Sequence, residues 1–108
     1  MLLEICVYHC LPGRLPALLN RFRTATLGLF EKHGFKPVGF FTTKIGASAQ
    51  DLTYLLSWDS LEERDRCWGA FHTDPDWIAA RTASEQDGWI VANASNQILA
   101  PTDFSPLR

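Results

Sequence analysis

A chain of 108 residues and 12.2 kDa has room for one domain, residues 1–108, and none for a second hydrophobic core. Hydrophobic residues at 46% and charged residues at 20% exclude a disordered or collagen-like chain. Ten Lys and Arg against 12 Asp and Glu leave a net charge of −2, which supplies no drive toward nucleic acid or an anionic membrane.

From Leu2 to Cys10 the chain reads LLEICVYHC, β-rich and almost continuously apolar, the pattern of a central strand covered on both faces. Leu11-Pro12-Gly13 turns the chain. Leu15, Leu18, Leu19, Phe22, Thr26, Leu29 and Phe30 then recur at intervals of three and four, which predicts an amphipathic helix of about 20 residues stopped at His33-Gly34. Phe35 to Ile45 reads as a second strand, residues 46–51 as a polar loop, and Leu52 to Trp58 as a third strand, again apolar almost throughout. Ser60 and Glu63 have the spacing of a capping box, and the helix that follows gathers Leu61, Arg64, Trp68, Phe71 and His72 on one side. Asp74-Pro75 starts a short further helical turn. Trp89 to Leu99 is a fourth strand, and residues 101–108 form a tail.

The order strand, helix, strand, strand, helix, strand predicts a ferredoxin-like βαββαβ protomer of the α+β class, a four-stranded antiparallel sheet with helices on one face. The other face is then a large apolar surface, so a homodimer joined through the sheet faces is expected. No apolar run approaches the roughly 20 residues of a membrane span. No basic segment precedes Leu2 and Glu4 interrupts the first apolar run, so no signal peptide is expected. Three cysteines without a CxxC pair fit reduced thiols and a cytoplasmic location.

Strand alternation places Glu4, Cys6, Tyr8 and Cys10 on one face of the first strand and Tyr54, Leu56 and Trp58 on one face of the third. The fold makes these strands neighbours. If the two faces coincide, Glu4, Tyr8 and Tyr54 line one pocket, with Cys6 and Trp58 as walls and His72 at the rim. A buried Glu4 would have its pKa raised by desolvation, which suits it to accept a proton, with Tyr8 donating to a developing oxyanion. The plainer alternative leaves Glu4 solvated at a frayed strand end. The run Glu62-Glu63-Arg64-Asp65-Arg66 reads as a solvated helix face. No metal is expected, because His9 points away from Cys6 and Cys10, and no P-loop, GxGxxG or GxSxG marks a cofactor or nucleophile site.

In this order and spacing Leu11-Pro12-Gly13-Arg14-Leu15-Pro16, His33-Gly34-Phe35, Val38-Gly39-Phe40-Phe41-Thr42-Thr43, Trp58-Asp59-Ser60-Leu61-Glu62-Glu63-Arg64, Asp74-Pro75-Asp76-Trp77 and Asn96-Gln97-Ile98-Leu99-Ala100-Pro101-Thr102 are specific. They resemble NIPSNAP-domain proteins from Tyr8 through Pro106. The resemblance implies a dimeric α+β barrel, within a superfamily that includes cofactor-independent monooxygenases of aromatic substrates. The family's first strand commonly reads Glu-x-Arg-x-Tyr where this chain has Glu4-Ile5-Cys6-Val7-Tyr8. Its third strand often carries His and Trp where Tyr54 and Leu56 stand here. Those replacements predict a more apolar pocket. Two functions follow as expectations: a cavity that holds a small apolar or aromatic ligand, with or without turnover and without a cofactor, or a non-catalytic interaction module whose aromatics are only core and interface.

Overall fold

The computed structural model describes residues 1–108. Four antiparallel strands form one sheet: β1 (Leu2–Cys10), β2 (Lys36–Thr42), β3 (Asp51–Trp58) and β4 (Val91–Leu99), in the spatial order β2-β3-β1-β4. The two strands that read as almost continuously apolar are the two central ones. With the helices on one face, this is the ferredoxin-like α+β arrangement. Ordered segments differ from the expected ones at their ends. β2 stops at Thr42 rather than Ile45 and β4 starts at Val91 rather than Trp89, because Ile45 and Trp89 are exposed and outside the ladder.

The first helix is a single rod in three parts: α1 (Leu15–Arg21), a π-helical turn (Phe22–Thr26) and α2 (Leu27–Lys32). Phe22 and Thr26, at the two ends of the wider turn, are both buried, and nothing in the residue pattern announces the turn. In α3 (Leu61–Thr73) the Ser60 hydroxyl accepts the Glu63 N–H at 3.1 Å, and Glu63 reaches back to the Asp59 N–H rather than to that of Ser60. The segment after Asp74 is longer than the single turn expected, a ten-residue helix α4 (Pro75–Ser84). No helix is long and apolar enough to cross a membrane.

Burial alternates strictly along β3, where Leu52, Tyr54, Leu56 and Trp58 are buried under the helices and Thr53, Leu55 and Ser57 are half-buried on the opposite face. On β1 the matching half-buried positions are Leu3, Ile5, Val7 and His9. The core is aromatic: Phe30 stacks on Phe35 with ring centres 4.4 Å apart and meets Phe22, Tyr54, Trp68 and Phe71 edge-on or tilted.

Asp74 ties the rod to the α3–α4 junction. One carboxylate oxygen accepts the Asp76 N–H at 2.8 Å as a helix cap, and the other accepts from Lys32 Nζ at 2.8 Å and pairs with His33 Nε2 at 2.7 Å. Lys32 first, then His33 and the Asp76 N–H, hold the carboxyl well below the usual carboxylate range. A depressed folded-state pKa contributes stability that is present above the unfolded value and is lost as pH falls through the folded one. Asp74→Asn is therefore expected to lower stability at neutral pH and to flatten the acid loss of stability below about pH 4. Urea unfolding across that range checks it; an acid profile as steep as the parent's would count against the Asp74 cluster.

Candidate functional site

The register brings three strands to one place. Glu4 stands between Leu56 of β3 and Ile98 of β4, Cys6 between Tyr54 and Asn96, and Tyr8 between Leu52 and Ala94. Over this row lies α3, whose Arg64, Trp68 and His72 follow one another at i, i+4 and i+8 and so share a stripe facing the sheet. Between stripe and row is a cavity of about 340 Å³, lined by Glu4, Cys6 and Tyr8 from β1, Asn96 from β4, and Arg64, Trp68 and His72 from α3.

Glu4 is the best-connected side chain in the protein. It is 1% exposed, so it is not solvated at a frayed strand end. Its Oε1 accepts from Trp58 Nε1 and Trp68 Nε1, each at 3.0 Å. Its Oε2 accepts from Arg64 Nη2 and Asn96 Nδ2, each at 2.9 Å, and Arg64 Nε lies 3.3 Å from both oxygens. Burial alone would raise the Glu4 pKa, but the hydrogen bonds from Arg64, Asn96, Trp68 and Trp58 outweigh it and hold the carboxyl below its ordinary value. The expected upward shift is thus reversed. Four donor side chains favour the anion more than desolvation disfavours it. They also occupy both oxygens, which removes the lone pairs a proton acceptor would use.

Apart from Arg64 and Asp65, the titratable groups around this anion are neutral. Burial, together with the Glu4 charge, pushes the Cys6 thiol up to about 12, so it is not a thiolate near neutral pH. Burial likewise raises the Tyr8 phenol to about 12 and the Tyr54 phenol well above its usual value. Burial, then Arg81 and Arg64, lower the His72 pKa. Its ring stacks on Trp68 at 5.2 Å, at the outer rim.

Of the residues singled out from the sequence, Glu4, Cys6, Tyr8 and His72 line one cavity. Tyr54 and Trp58 do not. Both are fully buried behind it: the Tyr54 hydroxyl donates to Tyr8 Oη at 2.8 Å, and Trp58 braces Glu4. Sequence reasoning missed Asn96, which sits in a polar strand with no chemical signature, and assigned Arg64 and Asp65 to a solvated face. Arg64 points inward with its Nη1 3.0 Å from Asp65 Oδ1. The cavity is consequently more polar than expected: β1 lacks an arginine at position 6, and a guanidinium arrives from α3 instead. His9 lies on the other sheet face, paired with Asp51 at 2.8 Å, and no group of three His, Cys, Asp or Glu side chains is placed to hold a metal ion.

A NIPSNAP family model matches residues 3–106. The chain belongs to the NIPSNAP family. A NIPSNAP family protein of unknown function from Agrobacterium tumefaciens is 27% identical, with a TM-score of 0.86 over 100% of this chain and 94% of that one. A second NIPSNAP family protein from the same organism is 26% identical, with a TM-score of 0.87 over 99% and 98%. A putative antibiotic biosynthesis monooxygenase from Nitrosomonas europaea is 10% identical, with a TM-score of 0.63 over 94% and 98%, a likeness of fold alone. No curated protein matches the sequence.

Proposed function

We propose that this NIPSNAP protein is a cytoplasmic homodimer that binds a small, largely apolar or aromatic ligand in the cavity between β1, β4 and α3. The observation that carries the reading is the cavity itself: about 340 Å³ of space opens beside Tyr8, Cys6 and Trp68 in a protein whose core is otherwise filled with interlocking aromatic rings. The cleft is concave and open to solvent, with a few convergent polar groups on an apolar wall, the form of a small-molecule site. Tyr8 is the orienting group. Because it accepts from Tyr54, its own hydroxyl proton is left for a ligand oxygen or nitrogen. Glu4 acts as a positioning residue that fixes Arg64, Trp68 and Asn96 around the ligand. The half-buried apolar row Leu3, Ile5, Val7 and Leu55 on the helix-free sheet face supports dimerisation there.

The test combines mass and affinity. Sedimentation is expected to return a dimer at micromolar concentration, and a monomer would overturn the assembly. A thermal-shift screen of naphthols, quinones and aromatic amides is expected to give hits that weaken about two- to tenfold in Tyr8→Phe, the loss of one hydrogen bond. Hits that bind Tyr8→Phe as tightly as the parent would remove the orienting role.

A further inference from the structure

The charge arithmetic of the cavity wall narrows what can enter it. Three of its side chains carry formal charge: Glu4, Arg64 and Asp65. The single cation is already engaged by both acids, through Nε and Nη2 with Glu4 and through Nη1 with Asp65. Glu4 in turn has both oxygens occupied. The wall sums to one net negative charge while His72 is neutral, and the next cation, Arg81, is an exposed side chain outside the lining, near His72 at the rim.

Apart from the two Arg64 guanidinium N–H groups not taken by Glu4 or Asp65, the polar groups left unused are uncharged. Asn96, a lining residue, gives its Nδ2 to Glu4, which leaves its Oδ1 without a side-chain partner as an acceptor. Tyr8 retains its hydroxyl proton as a donor. The neutral His72 ring at the rim offers one nitrogen as donor and one as acceptor. Between them stand the Cys6 thiol, a weak and largely apolar surface, and the flat face of Trp68.

We infer that the cavity takes an electrically neutral ring compound carrying a hydroxyl, carbonyl or amide group, and rejects carboxylates and phosphates of the same shape. The inference rests on the reading of the cavity as a ligand site and adds its selectivity. A carboxylate entering here sheds water to meet a cation already neutralised by two acids, and it faces Asp65 at the mouth. A neutral amide loses far less and gains both a donor and an acceptor.

The experiment compares naphthamide with naphthoate, a pair alike in shape and different in charge, by calorimetric titration at low salt near neutral pH. The amide is expected to bind at least about tenfold tighter. Asp65→Asn removes a negative charge whose side chain is 72% exposed, so the variant keeps its fold. It is expected to narrow that gap about two- to threefold by improving the carboxylate alone. Added salt narrows it in the same direction. Naphthoate binding as tightly as naphthamide would overturn the charge selectivity and leave the cavity reading standing. Failure of both compounds and of the wider neutral aromatic series to bind would overturn the cavity reading, and the selectivity with it.

Discussion

Glu4→Ala is expected to destabilise the protein by about 3–5 kcal/mol, the cost of breaking a buried, hydrogen-bonded ion pair from one side. The loss comes from what remains behind. Two indole N–H groups, Trp58 and Trp68, and the Asn96 amide are left facing a void, and the Arg64 guanidinium loses its bidentate acceptor. Glu4→Gln restores the volume but sets an NH₂ among donors, so it is expected to cost about 1–3 kcal/mol. The sign with pH follows from the depressed carboxyl: the ionic part of the Glu4 contribution is complete above the unfolded carboxylate value and is lost as pH falls through the folded one. The gap between parent and Glu4→Ala should therefore narrow in acid, down to the cost of the void alone. Urea unfolding near neutral pH and in acid measures both effects. A loss below about 1 kcal/mol near neutral pH would mean that the network does not hold the sheet to α3.

Phe30→Ala is expected to cost a similar amount, about 3–5 kcal/mol, by a different route. Phe30 is 1% exposed and stands where the rod, β3 and α3 meet, with ring contacts to Phe22, Phe35, Tyr54, Trp68 and Phe71. Truncation leaves a cavity that rigid aromatic neighbours cannot collapse to fill. Phe30→Leu retains most of the volume and should cost under about 1.5 kcal/mol. This loss, unlike that of Glu4, is not expected to narrow in acid, and the contrast separates packing from charge. A Phe30→Ala variant within about 1 kcal/mol of the parent would show that the ring cluster relaxes freely.

The two positions also mark what could be read from the sequence. Phe30 belongs to a helical repeat with Leu18, Phe22 and Leu29, and period alone makes it core. The strand order and the sharing of one face by Glu4, Cys6 and Tyr8 were legible for the same reason: alternation is a local property. What Glu4 does was not legible, since its ionisation depends on donors from Trp58, Arg64, Trp68 and Asn96, distant in sequence from Glu4 and partly from one another. Arg64 lies within a run of alternating charges, where only the angular position on α3 distinguishes the inward member. That angle was available, because Arg64, Trp68 and His72 are spaced by four. Asn96 was not, because an asparagine in a polar edge strand carries no mark until the register places it opposite Cys6. Tyr54 and Trp58 were put on the correct face, but depth within that face depends on the pairing geometry.

The placement of β1 has a kinetic meaning as well. It is the first strand made and lies second from the edge of the sheet, between β3 and the last strand made. The bond from Asn96 to Glu4 closes a loop of 92 residues. Such long-range closure brings slow, late folding, because chain entropy must be lost before the contact is gained. During synthesis the Glu4 carboxylate lacks its Asn96 donor and its β4 cover until β4 has emerged and docked, and the cavity is among the last features to assemble. Early folding has to rely on the aromatic contacts among the rod, β3 and α3. A chain stalled before β4 would present β1 as an open edge with its anion only partly satisfied, a form prone to pairing with other unfinished chains.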